Sequence, residues 1–191
     1  GHIDPDLFDV FMWEKVYEKY AKEWNNQLKG WIEDSPVPAD NDGGWGAQWK
    51  MICVGCRTME PWFETFFSFL RSPSFGIDTF IMFLKSLVEH AGQVVRYNDV
   101  TTTANMRVMQ GRGLVNISVC FPELKRSTEW RALAYERLTD EITARQVYPD
   151  GAQKEHSPSY HETCARLFSG AYELALVNGL AVPDAFRRQL E

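Results

Sequence analysis

The stretch 147–161 concentrates the residues whose types and spacing could do chemistry. Pro149-Asp150-Gly151 predicts a tight turn, because proline fixes φ, aspartate bonds its own backbone and glycine tolerates positive φ. Ser157 followed by Pro158 then predicts the beginning of a helix, with serine as the N-cap and proline in the first helical position. Tyr160 is therefore expected in the first turn of that helix.

The first turn of a helix favours an anion, which is what Tyr160 needs in order to act as a base. A phenol has an ordinary pKa of about 10, so it is useful as a base only where its phenolate is stabilised. The unpaired N–H groups and the positive end of the helix dipole supply such stabilisation, and His156 or His161 could add to it. The alternative is a tyrosine packed between helical layers, with His156 exposed in the turn and His161 a structural hydrogen-bond partner.

The composition is that of a single globular domain. The 191 residues are 45% hydrophobic, which is enough to bury a core. The formal net charge of −6 gives no electrostatic reason to expect a nucleic-acid partner. No uninterrupted apolar run approaches the ~20 residues of a membrane span, so no membrane partner is predicted. Gly1 and His2 are interpreted as a cloning remnant, which leaves residues 3–191 as the domain.

The pair Cys53 and Cys56 has the C-x-x-C spacing of some metal and redox sites. No second pair lies near it to complete a zinc site, and the surrounding sequence is typical of a helix. The two cysteines are therefore interpreted as ordinary buried residues. We predict neither a metal nor a cofactor.

Apolar residues recur at three- and four-residue steps along most of the chain, which predicts an all-α fold. Helices of ~15–25 residues joined by short turns favour stacked antiparallel hairpins. Gly30 and the breaker-rich segment 35–44 are predicted to separate the first two helices. The predicted helices are 6–29, 46–70 with a kink or division at Pro61, 76–97, 104–120, 127–146, 157–177 and a last segment that begins at 183.

The predicted helix 104–120 is apolar around its whole circumference and contains three small residues. A helix of this kind is buried on every side. Its alternation with amphipathic helices predicts two concentric layers, that is, a partial (α/α) toroid of inner and outer helices.

A series of motifs in a fixed order extends over roughly residues 45–168. Its most specific elements are residues 121–123 and the pair of motifs at 150–151 and 157–161. The other positions are Arg57, Trp62, residues 69–75 and 89–91, Asn105, residues 112–114, Trp130 and residues 146–149. This order of motifs resembles the heparinase II/III-type polysaccharide lyases, which are related to alginate lyases of the same architecture.

The resemblance implies a toroid that forms one wall of a cleft and a β-sandwich after it that forms the other. The chain is then expected to be part of a longer one, to lack that sandwich and to be inactive in isolation. The implied reaction is β-elimination at a uronic acid of an acidic polysaccharide, in a periplasmic or secreted bacterial protein. Tyr160 matches the catalytic tyrosine and Asn105 the asparagine that binds the carboxylate, with His161 beside them as a further catalytic candidate.

Several other residues are candidates for binding the polysaccharide. Arg107 and Arg112 could each contact a sulfate or a carboxylate bidentately, although Arg112 lies between two glycines and could instead brace the inner helices. His156 is a further candidate. Trp45 and Trp49 could stack on sugar rings or pack in the core.

Two departures from the family pattern leave a second function open. Met106 stands where many members have histidine, and Gln110 stands where an acidic residue is common. Both substitutions remove groups that can carry a proton or a charge. The alternative is a glycan-binding or catalytically degenerate toroid, in which Asn105 would only cap its helix.

A glycoside hydrolase of the same fold is another alternative. Hydrolysis needs two carboxylates, about 5–5.5 Å apart for retention or ~6.5–9.5 Å for inversion. Asp150, Glu155 and Glu162 are the candidates, and their spacing selects no pair.

Overall fold

The computed structural model describes residues 15–38, 48–59, 61–96 and 105–191. Within these ranges the only β-type pairing is an isolated antiparallel bridge between Val147 and Gln153. No helix among them is both long enough and apolar enough to cross a membrane. The helices are α1 (Val16–Asp34), α2 (Met51–Met59), α3 (Pro61–Phe69), α4 (Ile77–Arg96), α5 (Asn105–Cys120), α6 (Ser127–Asp140), a π-helical turn (Glu141–Arg145), α7 (Pro158–Val177) and α8 (Asp184–Leu190).

The predicted division at Pro61 is confirmed, since α2 ends at Met59 and α3 begins at the proline. Proline lacks an N–H and its ring clashes with the preceding turn, so it is tolerated only at a helix start. The predicted helix end at Gly30 is wrong, because α1 continues to Asp34. A glycine inside a helix costs only about 1 kcal/mol relative to alanine, which tertiary packing can offset. Residues 6–14 of the first predicted helix lie outside the described residues.

The described residues 15–37 and 63–86 belong to one compact unit. Its interior is aromatic: Phe66 stacks on Phe83 with ring centroids 4.5 Å apart, and Trp24 stacks on Phe75 at 5.8 Å. The Nδ2 of Asn25 on α1 donates to the backbone oxygen of Ser74 over 2.8 Å. This unit therefore buries one face of an amphipathic α1 against aromatic rings.

The described residues within 38–62 and 87–191 belong to the second unit, and helix α5 lies at its centre. Helices α2, α6 and α7 all contact α5. Twelve of the sixteen residues of α5 are buried, and its side chains Val108, Leu114, Val115 and Ile117 are completely so. The prediction of a helix buried on every side is confirmed.

Helices α2 and α5 approach closely at Gly113. A Cβ atom at that position would lie 2.2 Å from the Oγ1 of Thr58 and 3.2 Å from the backbone oxygen of Gly55. Thr58 cannot move away easily, because it is fully buried and its hydroxyl donates to the oxygen of Val54 over 2.9 Å. The close approach of α2 and α5 therefore requires a glycine at position 113.

We predict that Gly113→Ala lowers the free energy of unfolding by ~1–3 kcal/mol, the usual cost of overpacking a core. Gly30→Ala is the matched control, since no atom lies within 4 Å of a Cβ there and its φ is not positive. That substitution should raise stability by ~0.4–1 kcal/mol through the unfolded chain. Urea unfolding measures the stability of both variants. Equal changes in the free energy of unfolding for Gly113→Ala and Gly30→Ala would contradict the close contact at Gly113.

Candidate active site

The loop that precedes α7 folds back on itself at the predicted turn. The N–H of Tyr148 donates to the oxygen of Ala152 over 2.8 Å, and Gly151 has φ of +87°. The Oδ1 of Asp150 accepts from the N–H of Ala152 over 3.0 Å. The sequence Pro-Asp-Gly thus forms the turn that its chemistry predicts.

The beginning of α7 also has the predicted cap. The Oγ of Ser157 accepts from the N–H of Tyr160 over 3.4 Å, and Pro158 is the first helical residue. The side chain of Tyr160 is 46% exposed, so it is not packed between helical layers. Its phenol lies at the surface of a first turn, where the helix dipole favours an anion.

Asn105 is the first residue of α5 and is only 8% exposed. Its Nδ2 lies 3.1 Å from Oε1 and 3.0 Å from Oε2 of Glu155, in the loop before α7. Two residues that are fifty positions apart in the chain therefore meet at the end of a buried helix.

Gln153 connects this contact to the beginning of α7. Its Nε2 donates to Oε2 of Glu155 over 2.7 Å, and its Oε1 accepts from the N–H of Glu155 over 2.8 Å. Its backbone N–H donates to Nδ1 of His161 over 3.3 Å. One hydrogen-bonded network thus includes Asn105 and the first turn of α7, which bears Tyr160.

The two histidines differ in their surroundings. Because His161 accepts at Nδ1, its neutral ring carries the hydrogen on Nε2 and offers a donor there. His156 is exposed, has φ of +54°, and its ring centroid lies 6.0 Å from that of Tyr148. An open depression of about 410 Å³ is lined by both histidines and Gln153.

These observations define a candidate site at the beginning of α5 and of α7. The family model for the heparinase II/III N-terminus matches residues 8–191. The chain belongs to this family.

The relatives of this heparinase II/III domain are bacterial. The chain is 32% identical to a heparin-sulfate lyase of Pedobacter heparinus over 81% of its own length and 23% of the relative. It is 29% identical to a heparin-sulfate lyase of Bacteroides thetaiotaomicron over 91% of its own length and 24% of the relative. The chain therefore spans about a quarter of the length of these curated relatives.

Solved heparinase structures share the fold. A heparan sulfate lyase, HepC from Pedobacter heparinus, matches with a TM-score of 0.74 at 31% identity, over 91% of this chain and 27% of that one. A heparinase III matches with a TM-score of 0.74 at 29% identity, over 91% of this chain and 29% of that one. The prediction of an all-α fold of the heparinase toroid type is confirmed.

Arg107 has a different environment from the one expected of a substrate-binding residue in this heparinase II/III domain. It is 5% exposed, and its NH1 lies 2.8 Å from Oε1 of Glu141, which is completely buried. The Nε of Arg145 lies 3.0 Å from the same oxygen. Burial raises the pKa of Glu141, and the neighbouring Arg107 works against that rise. The position of Arg107 fits a buried ion pair rather than a polysaccharide contact.

Arg112 fits the bracing alternative. Its NH1 donates to Oδ1 of Asn116 on the same helix, and its side chain lies against α7 at Gly170. A Cβ atom at Gly170 would be 3.2 Å from both Nε and NH2 of Arg112. The arginine therefore fills the space between two helices.

Trp49 fits the core-packing alternative. It is 3% exposed, and its ring centroid lies 4.5 Å from that of His90, which is completely buried. The Nε of Arg57 donates to Nε2 of His90 over 3.0 Å. A ring this buried cannot stack on a sugar. Trp45, the other candidate for stacking, lies outside the described residues.

Gln153 and Glu155 organise the site, a role that the sequence does not predict for either residue. Glu155 is predicted only as a candidate hydrolase carboxylate, and no role is predicted for Gln153. The sequence signal for this role is their position, because both polar residues lie between the predicted turn and the predicted N-cap, two positions apart.

The described residues contain no group of three or more His, Cys, Asp or Glu side chains that could hold a metal ion. Cys53 and Cys56 are free thiols of intermediate exposure, so the prediction that both are buried is wrong. The Sγ of Cys56 lies 3.9 Å from the Sδ of Met109. Burial raises the pKa of the Cys56 thiol, with a further rise from Cys53. Both cysteines thus pack as weakly polar residues on α2.

We predict that Arg107→Ala lowers the free energy of unfolding by about 3 kcal/mol, the lower end for breaking a buried ion pair, because Arg145 remains next to Glu141. In a Glu141→Gln background, Arg107→Ala should lower the free energy of unfolding much less, because it then leaves no buried carboxylate without its partner. Arg126→Ala removes an exposed partner of Glu129 and should change the free energy of unfolding little. Urea unfolding checks these variants. Unchanged stability with a raised KM for polysaccharide would instead make Arg107 a substrate contact.

Proposed function

We propose that this chain is the toroid domain of a polysaccharide lyase that cleaves a uronic-acid-containing polysaccharide by β-elimination. Membership of the heparinase II/III family and the heparin-sulfate lyase relatives support this proposal. The single observation that carries it is the network that includes both Asn105 and the first turn of α7, which bears Tyr160. The proposal assigns the substrate carboxylate to the amide of Asn105 and the proton transfers to Tyr160.

In the proposed reaction, the phenolate of Tyr160 takes the proton at C5 of the uronic acid. The electrons of the broken C–H bond form the C4–C5 double bond, and the bond from C4 to O4 breaks. The phenol then gives its proton to the departing O4, so Tyr160 serves first as base and then as acid. Asn105 donates a hydrogen bond to the carboxylate of the uronic acid while negative charge develops on it.

The local structure supports these roles. Tyr160 is 46% exposed and so accessible to a polymer, and it lies in the first turn of α7. His161 lies beside it in the same turn, and we assign its Nε2–H as a further donor toward the reacting sugar. His156, which lines the depression together with His161, is assigned to substrate binding.

The relatives indicate which polymer to test first. Two of them are named heparin-sulfate lyases, so heparan sulfate is the first candidate substrate. We further propose that a β-sandwich later in the same polypeptide forms the other wall of the cleft, so that the 191 residues alone turn over little substrate. The protein is proposed to be periplasmic or secreted, where such polymers occur.

The contacts of Glu155 and Asp150 do not favour the hydrolase alternative. The carboxylate of Glu155 is engaged by Asn105 and Gln153, and that of Asp150 accepts from the backbone of its own turn. A hydrolase pair would need both groups directed at a sugar. A degenerate glycan-binding toroid would bind the polymer without forming product.

We predict that Tyr160→Phe in the full-length protein lowers the rate of elimination by at least ~10²–10⁴, the usual contribution of a positioned acid or base. The substitution keeps the ring and removes only the hydroxyl. Ultraviolet absorbance of the unsaturated product from heparan sulfate measures the rate. Tyr172→Phe, three turns further along α7, is the matched control and should retain the parental rate. A Tyr160→Phe enzyme with parental turnover would remove Tyr160 from the mechanism, and reducing ends without absorbance would indicate a hydrolase.

We predict that Asn105→Ala lowers kcat by roughly 10²–10³, comparable to the loss of one oxyanion donor, because charge on the uronate carboxylate is no longer stabilised. The same absorbance assay measures it, with circular dichroism as the check on folding. Asn178→Ala, an exposed asparagine at the end of α7, serves as the control. A folded Asn105→Ala protein with unchanged kcat would show that the asparagine only caps α5.

A further inference from the structure

Glu155 is a carboxylate inside the candidate site that no step of the proposed reaction uses. Both of its oxygens lie within 3.1 Å of Nδ2 of Asn105, and its side chain is of intermediate exposure. We propose that Glu155 is a positioning residue, which fixes the orientation of the Asn105 amide for the elimination. This inference rests on the proposed function.

The orientation follows from the hydrogen-bonding capacity of the two groups. An ionised carboxylate only accepts hydrogen bonds, whereas an amide has a donating NH₂ end and an accepting oxygen end. A rotation of the amide by 180° would place Oδ1 of Asn105 against two carboxylate oxygens and leave them repelling each other. The NH₂ end of Asn105 therefore faces Glu155. Because that end carries two hydrogens, one can bind Glu155 while the other is directed at a substrate carboxylate.

Glu155 is itself held from two directions by Gln153. The Nε2 of Gln153 donates to the carboxylate over 2.7 Å, and its Oε1 accepts from the backbone of Glu155 over 2.8 Å. Gln153 is 5% exposed, and its Nε2 also donates to Oε1 of the buried Gln146 over 3.1 Å. Rotation of the Glu155 side chain would break these hydrogen bonds. The carboxylate is therefore held in one orientation, and the amide of Asn105 binds to it in that orientation. Such precision matters, because a misplacement of about 1 Å can cost ~10²-fold in rate.

The charge of Glu155 argues against a direct role in binding substrate. A carboxylate beside Asn105 repels the carboxylate of a uronic acid, which disfavours binding of the polymer. The proposed role of Glu155 is therefore to orient the amide of Asn105. A neutral acceptor of the same shape should keep the orientation and remove the repulsion.

The test is a double-mutant cycle between Glu155→Ala and Asn105→Ala in the full-length protein, with heparan sulfate as substrate. Glu155→Ala should lower kcat by ~10- to 100-fold, with a smaller change in KM, because the amide loses its orientation. In the Asn105→Ala background it should lower kcat by less than about twofold, since a residue that acts through another has no separate effect. Glu155→Gln should recover most of kcat and lower KM. Glu173→Ala, an exposed carboxylate on α7, is the matched control and should leave both constants unchanged.

The outcomes separate this inference from the proposed function. A slow Asn105→Ala enzyme beside a Glu155→Ala enzyme with parental kcat would overturn the positioning role and leave the lyase proposal standing. Equal effects of Glu155→Ala in both backgrounds would also overturn it, because Glu155 would act independently. Parental kcat in Asn105→Ala would overturn both. Should Glu155→Ala fail to fold, Glu155→Gln decides the matter: near-parental kcat with a lower KM supports positioning, and a loss as large as that of Asn105→Ala contradicts it.

Discussion

The burial of α5 on every side is the constraint on which the rest of this unit depends. A polar side chain on a buried helix costs free energy unless it has a partner, and a buried charge costs more. Asn105 and Arg107 both lie in the first turn of α5, and both are nearly inaccessible to water. Their partners come from later in the chain, as Glu155 for the amide and Glu141 for the guanidinium.

The same requirement links the fold to the candidate site. Glu141 begins a π-helical turn, which ends where the N–H of Gln146 donates to the oxygen of Glu141 over 2.7 Å. The side chain of Gln146 then holds Gln153, which holds Glu155. The loop that leads into α7 is therefore tied to the buried ion pair at one end and to Asn105 at the other. A site of this kind is a surface loop positioned by a rigid helical scaffold, a common arrangement for binding and catalytic residues.

Local features of this architecture are predictable from the sequence. The turn at residues 149–151 and the cap at Ser157 depend on residues a few positions apart, and the structure has both. The burial of α5 follows from apolar residues all around one helix, a pattern that needs no knowledge of its neighbours. The continuation of α1 through Gly30 is not predictable in this way, because packing outweighs the small penalty for glycine.

Such local patterns do not predict contacts between residues that are far apart in the sequence. Asn105 and Glu155 are fifty residues apart, and Arg107 meets Glu141 only because α5 packs against the elements that follow α6. Helical periodicity predicts that Arg107 lies among apolar residues of α5, but not which groups it contacts. The π-helical turn has no signature in the hydrophobic pattern either. The roles of Gln153 and Glu155 therefore become visible only in the folded chain.

In the proposed mechanism, Asn105 and Tyr160 act on the same uronic acid. A crystal structure of the full-length Tyr160→Phe protein with a heparan sulfate oligosaccharide would show whether they do. We expect the uronate carboxylate within hydrogen-bonding distance of Nδ2 of Asn105, with C5 of that sugar facing the edge of the Phe ring that replaces the phenol. An oligosaccharide whose carboxylates lie away from Asn105, or whose C5 is turned away from residue 160, would contradict it.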